Sequence, residues 1–141
     1  MIVLDTNVVS EPMKLIGNPM VRAWLDQQAA ETLYLTTTSL SELLYGVEIL
    51  PDGKRKEGLG AALSELVTKL FGARILPFDY QAAVAYARLV KLSKIAGHTF
   101  SMPDGQIAAI AIVHGFTVAT RDTGPFLAAG VPVINPWDTT P

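Results

Sequence analysis

Apolar residues follow two rhythms along this chain: short continuous or alternating runs, and longer stretches where they recur three and four positions apart. Ile2-Val3-Leu4 is a short, β-branched run that stops at Asp5-Thr6-Asn7, whose side chains favour turns and N-caps. A strand leading into a helix is expected there. Pro19 suits the first turn of a second helix, with Val21, Trp24 and Leu25 forming a buried stripe. Leu33 to Thr37 alternates like a strand, and Thr38-Ser39-Leu40-Ser41-Glu42 opens a helix that Pro51-Asp52-Gly53 ends after about Leu50. Lys54 to Phe71 carries Leu59, Leu63, Leu66, Val67 and Leu70 at helical spacing, with Gly72 as its stop, and Arg74 to Pro77 reads as a strand. Asp79 can cap a helix from Tyr80 to Ile95, ended by Gly97. Another helix, rich in small residues, runs from Met102 to His114, where Gly115 closes it. Phe116 to Thr120 is a buried-looking strand, Arg121 to Gly124 a polar loop, Pro125 to Ala129 a short helix, and Val131 to Ile134 the last strand.

Strands alternating with helices predict a parallel sheet covered on both faces. The expected architecture is one three-layer α/β/α domain over residues 1–141, with a central, mainly parallel sheet of about four to five strands. There is no internal repeat, linker or low-complexity tract. Half of the residues are hydrophobic, yet no uninterrupted apolar run approaches the roughly 18 residues a spanning helix requires. Met1 to Asp5 lacks the basic start, longer apolar stretch and cleavage site of a secretory signal, so no membrane association and a cytoplasmic location are expected. With no cysteine, disulfides, thiolate metal sites and thiol nucleophiles are all excluded. Any metal must be held by oxygen or imidazole.

In open parallel sheets, ligands bind beyond the carboxyl ends of the strands. Asp5 directly follows the first strand, and Asp122 lies two residues beyond Val118-Ala119-Thr120. Glu42 and Asp104 fall near helix starts, where the macrodipole favours an anion. Each acid has an ordinary explanation as a helix cap or first-turn residue. Four carboxylates gathered together, however, would raise one another's pKa values and call for a cation. Hard oxygen donors point to Mg²⁺, with Mn²⁺ as an alternative.

Eleven basic against thirteen acidic residues give a net charge of −2, which is unpromising for binding a polyanion. Neutralising the four acids would turn it to +2, and Lys54-Arg55-Lys56 and Arg88, Lys91 and Lys94 form local basic groups. Each group reads equally as a solvated helix face.

Four motifs together resemble a known family. They are Asp5-Thr6-Asn7 after the N-terminal strand, Ser41-Glu42-Leu43 with Gly46 following, Asp104 before an alanine-rich helix ending near His114, and Ala119-Thr120-Arg121-Asp122. They look like the PIN-domain toxins of VapBC type II toxin-antitoxin systems, and the match spans essentially the whole chain. Leu4 to Pro12, Arg74 to Asp79, Val118 to Gly124 and Asn135-Pro136-Trp137 look most like the FitB-like branch. The resemblance implies a ribonuclease in which Asp5, Asp104 and Asp122 hold a divalent metal, Glu42 completes the acidic site, and a metal-activated water attacks an RNA phosphodiester. By position, Thr6, Asn7 and Thr120 would support the acids through hydrogen bonds, and Ser39 could join them. Arg121 is assigned either to phosphate or to a surface ion pair. Met102, at a position where many relatives are expected to carry small or acidic residues, would narrow the entrance.

The same resemblance implies a homodimer and a cognate antitoxin that inhibits the enzyme within a toxin-antitoxin hetero-oligomer. Operator DNA would be contacted only through that antitoxin. Met13, Leu15, Trp24, Leu44, Tyr45, Val47 and Leu50 are candidates for its groove, or equally for core.

Competing chemistries find less support. An aspartate-nucleophile phosphatase needs a second aspartate where Asn7 stands, and a receiver domain needs an acid pair and a late lysine. A Ser-His-Asp set built from Ser39 or Ser41 with His98 or His114 lacks a Gly-x-Ser-x-Gly elbow, and His114 beside Gly115 serves a helix end. No phosphate-binding glycine loop occurs. The alternative of a different class is a non-catalytic interaction protein that binds an antitoxin-like partner and DNA through it.

Overall fold

The computed structural model describes residues 1–138. Five strands, β1 (Ile2–Leu4), β2 (Leu33–Thr36), β3 (Ile75–Leu76), β4 (Thr117–Ala119) and β5 (Val133–Ile134), form one sheet in the order β3-β2-β1-β4-β5. Every pairing is parallel. The helices are α1 (Thr6–Ser10), α2 (Pro19–Gln27), α3 (Thr37–Glu48), α4 (Lys54–Glu65), α5 (Tyr80–Ile95), α6 (Met102–His114) and α7 (Thr123–Ala128). Among the described residues, no helix is long and apolar enough to cross a membrane.

Successive strand residues point to opposite sheet faces, and each face here has its own core. Leu4 and Ala119 join Val8, Val21, Trp24, Leu43, Leu63 and Phe71 on the side of α1 to α4. Their neighbours Val3 and Val118 join Leu89, Phe100, Ile107, Ala108, Ala111 and Phe126 on the side of α5 to α7. That is the three-layer arrangement the sequence pattern predicts. It also explains why the strands read as continuous apolar runs: a parallel sheet is buried on both sides. The small-residue character of α6 has a local cause as well. A Cβ on Gly105 would lie 2.8 Å from Tyr86 Cε2, so α5 approaches α6 closely there only because the position is glycine.

Several bounds shift, among them α7, which begins at Thr123 inside the expected polar loop, and two of the differences have a visible cause. The helix expected over residues 54–71 is α-helical only to Glu65; Leu66–Phe71 is π-helical, with Gly72 N donating to Val67 O at 2.9 Å. The wider turn carries Phe71 into the core at 1% exposure, which a helix-period reading does not anticipate. The strand expected from Val131 begins only at Val133, because Val131 N donates back to Phe126 O and Val131 is buried beneath α7.

The strand order matters for function. The chain lays down β1, β2 and β3 in one direction, then returns to place β4 on the other side of β1. The order therefore reverses between β1 and β4, and such a reversal opens a crevice beyond the strand ends.

Candidate active site

Asp5 stands in that crevice. It ends β1, its N–H donates to Ala119 O of β4 at 2.9 Å, and it caps α1. Asp5 Oδ1 accepts from Thr6 N at 2.8 Å, and Oδ2 accepts from the hydroxyl of Thr120 at 2.9 Å. Both oxygens are thus aimed, yet each keeps an unused lone pair. Asp5 is 6% exposed and Thr120 fully buried. Burial pushes the Asp5 carboxyl from 3.8 up to about 6, against the hydrogen bonds from Thr120 and Thr6, and the negative charges of Asp104 and Glu42 add to the rise.

Thr120 serves a second acid. Its hydroxyl oxygen accepts from Asp122 N at 3.2 Å, fixing the turn from β4 into α7, and the Asp122 side chain makes no cap hydrogen bond of its own. Asp104 enters from α6, where Ser101 caps the helix by accepting from Asp104 N at 3.3 Å. Burial raises the Asp104 carboxyl too, and the charges of Asp122 and Glu42 push the same way. Glu42 projects from α3, exposed, and its Oε1 accepts from the Thr6 hydroxyl at 2.7 Å. Thr6 Oγ1 also lies 3.0 Å from Ser39 Oγ. Since a hydroxyl carries one proton and a carboxylate must receive it, Ser39 supplies the proton on that second contact.

Asp5 thus feels the charges of Asp104 and Glu42, Asp104 feels those of Asp122 and Glu42, and no described basic residue is ion-paired with any of the four. Among the described residues, no three acidic or histidine side chains are arranged to hold an ion as they stand. The donor set itself, four carboxylates flanked by hydroxyls, is hard, anionic and short of positive charge. That chemistry suits a divalent cation with oxygen ligands.

The remaining candidates divide. Thr6, Ser39 and Thr120 hydrogen-bond within the site, whereas the exposed Asn7 side chain makes no hydrogen bond among the described residues. Arg121 lies with its guanidinium carbon 5.3 Å from the centre of the Trp137 ring, a stacking contact the sequence did not suggest. Met102 is exposed in the first turn of α6, two residues before Asp104.

Two further contributors escape sequence reasoning. Thr38 donates to Gln106 Oε1 at 2.9 Å and so ties the helix of Glu42 to the helix of Asp104. Glu11 is buried, accepts from Asn18 N at 3.1 Å and pairs with Lys14 at 2.9 Å. The hydrogen bond from Lys14 is the main reason its carboxyl sits below the usual range, and Arg121 contributes. Nothing in the local pattern marks Thr38, which sits among other polar residues at the start of α3, or Glu11, which opens the short turn after α1.

Removing the Thr120 hydroxyl frees one Asp5 oxygen and the Asp122 turn together. Thr120→Val is expected to weaken Mn²⁺ binding by roughly 10- to 100-fold in a calorimetric titration, with Thr120→Ser restoring most of it. Wild-type affinity in Thr120→Val would remove Thr120 from the site.

A parallel sheet with acidic side chains at its switch point is shared by several classes of protein, and comparison with known proteins selects among them. The family model described as PIN domain matches residues 2–131, and the chain belongs to the PIN-domain family. It is 50% identical to a plasmid stability protein, StbB, of Pseudomonas syringae pv. tomato over 98% of this chain and 99% of that one. It is 47% identical to a VapC ribonuclease of Sinorhizobium fredii with the same coverage. The crystal structure of FitAcB from Neisseria gonorrhoeae superposes with a TM-score of 0.94 at 47% identity, over 99% of this chain and all of that one. Within the PIN domains, this chain is a FitB-like VapC toxin.

Proposed function

We propose that this protein is the toxin of a type II toxin-antitoxin system, a cytoplasmic Mg²⁺-dependent endoribonuclease. The observation that carries the reading is Asp5, buried at the β1/β4 switch point, with the charges of Asp104 and Glu42 acting on it, that of Asp122 acting on Asp104, and no ion pair from a described basic residue. The resemblance to PIN-domain ribonucleases supports it.

Asp5, Asp104 and Asp122 are the residues that would hold the ion. When bound, a divalent cation supplies activation of a water and neutralisation of charge developing on the phosphate. The protein's share is orientation and proton handling. Thr6 and Thr120 fix both oxygens of Asp5, so its free lone pairs point one way without reorganisation. Glu42 is held at Oε1 by Thr6 and exposed to solvent, so its other oxygen would be free to take a proton from an attacking water. A cavity of about 280 Å³ runs from Thr6, Ser10 and Glu42 along Met13, Val47 and Leu50. An antitoxin segment laid along it would reach the carboxylates with a basic side chain and silence them electrostatically. Trp24, in contrast, belongs to the core, and Leu15, Leu44 and Tyr45 are exposed outside that cavity. A homodimer within a larger toxin-antitoxin assembly, touching operator DNA only through the antitoxin, completes the proposal.

The test is incubation of purified, antitoxin-free protein with a panel of cellular RNAs in Mg²⁺, in Mn²⁺ and in EDTA. Cleavage is expected in Mg²⁺, with Mn²⁺ able to replace it, and none in EDTA. Cleavage that survives chelation overturns the metal-dependent mechanism; no cleavage under any condition favours the interaction-only alternative.

A further inference from the structure

Most cations of this chain are committed to the fold. Lys14 pairs with Glu11, Lys69 with Glu65, and Lys56 with Asp52 and the Glu48 carbonyl. Arg22 and Arg74 donate to backbone carbonyls, and Arg121 stacks on Trp137. Arg55 is different. It is exposed, has no ion pair or hydrogen bond among the described residues, and lines the same cavity as Thr6, Ser10 and Glu42. Lys54, its neighbour, is also unpaired but lines none of the described cavities. The basic triplet Lys54-Arg55-Lys56 therefore separates into a solvated lysine, a lysine folded back onto Asp52, and an arginine facing the site's groove.

Helix stability does not account for that arginine. The triplet opens α4, where the macrodipole is positive and cations are unfavourable. Gly53 precedes it without a side-chain cap, and Glu57 is the acid of the first turn. The groove supplies the missing reason. Glu42 lines it and repels phosphate, Met13, Val47 and Leu50 give it an apolar wall, and of its two cations Lys14 is paired with Glu11 whereas Arg55 is unpaired. A strand whose scissile phosphate lies at the acids must find a cation for a flanking phosphate, and a guanidinium offers two parallel donors for phosphate oxygens.

We propose that Arg55 is a substrate-positioning residue that clamps a phosphate flanking the scissile one and so routes single-stranded RNA along the groove between α1, α3 and α4. The assignment rests on the ribonuclease reading for its substrate, but its binding test does not depend on catalysis.

The experiment measures anisotropy of a short, end-labelled, mixed-sequence single-stranded RNA against the full chain in EDTA over a range of NaCl, and cleavage kinetics of the same RNA in Mg²⁺. Arg55→Ala is expected to weaken binding about tenfold and to flatten the log–log salt slope by about 0.7, the share of one phosphate on a single strand. KM should rise by a similar factor with kcat unchanged. Arg55→Lys should keep the salt slope while losing part of the affinity, since it keeps the charge and loses the fork. Lys54→Ala should match wild type in both, and melting temperatures should stay within about one degree or rise. Wild-type affinity and slope in Arg55→Ala, or an equal loss in Lys54→Ala, overturns the clamp, as does a wild-type protein that binds no RNA. Arg55-dependent binding without cleavage in Mg²⁺ sinks the nuclease reading and leaves the clamp standing.

Discussion

Asp5→Asn is expected to cut RNA at least about a thousandfold more slowly than wild type while folding into a more stable metal-free protein. The first effect follows from taking one charged donor from the site, worth several kcal/mol of transition-state stabilisation. The second is set by linkage. Asp5 titrates at about 6 in the fold against 3.8 ordinarily, so between those values the native state binds more protons than the unfolded chain. Wild-type stability therefore falls as pH rises from about 4 to 6, and above that window the ionised Asp5 costs about 3 kcal/mol. Asparagine carries no such charge but gives up one good acceptor, so a net gain of about 1–2 kcal/mol is expected at pH 7 without metal. Mn²⁺ should raise the melting temperature of wild type, by mass action on the native state, and leave the variant unmoved. Melting curves at pH 4, 5, 6 and 7, with and without Mn²⁺, check all of this. A variant less stable than wild type at pH 7 would recast Asp5 as a structural cap.

Phe126→Ala is expected to be the most damaging change away from the acids. Phe126 is fully buried in the core behind the sheet and meets Phe100 edge-on, with ring centres 5.7 Å apart. Truncating such a side chain costs about 3–5 kcal/mol, including the cavity it leaves. For a domain of this size, that lowers the melting temperature by about 10–20 °C. The loss reaches the site because Phe126 anchors α7, which begins directly after Asp122 and whose Phe126 carbonyl also accepts from Val131 N. Phe126→Leu should retain most of the stability, and a melting temperature for Phe126→Ala within about 3 °C of wild type would contradict this account.

The layer architecture was legible because its cause is local. Ile2-Val3-Leu4 and Val118-Ala119 are buried on both faces, and that leaves a continuous apolar run in the sequence. Asp5 and Asp122 were legible for the same reason, as polar residues where such runs stop. Strand order was not, since the β1–β4 pairing joins Leu4 to Ala119 and no local pattern encodes so distant a partner. Asp104 looks like an ordinary first-turn acid, and Glu42, which lies a turn further into α3 than its expected place near the helix start, like a solvated one, until α3 and α6 are packed together; their place therefore rested on family resemblance. The Thr38–Gln106 bond that holds those helices spans 68 residues and leaves no periodic trace. The π-helical Leu66–Phe71 escaped because its apolar residues fit an α-helical stripe as well as a widened one.

The pairing of β1 with β4 also sets a time at which the protein can become dangerous to the cell that makes it. The strand that leads into Asp5 gains its second neighbour only when residues 117–119 have emerged from the ribosome. Thr120, which orients Asp5, and Asp122 follow immediately afterwards. A nascent chain therefore carries Asp5 through the synthesis of more than a hundred residues before Asp122, its proposed partner, exists. Contacts so distant in sequence form late, after the local helices. The proposed site can thus assemble only after Asp122 has been made, and an inhibitor aimed at it finds nothing complete to capture before then.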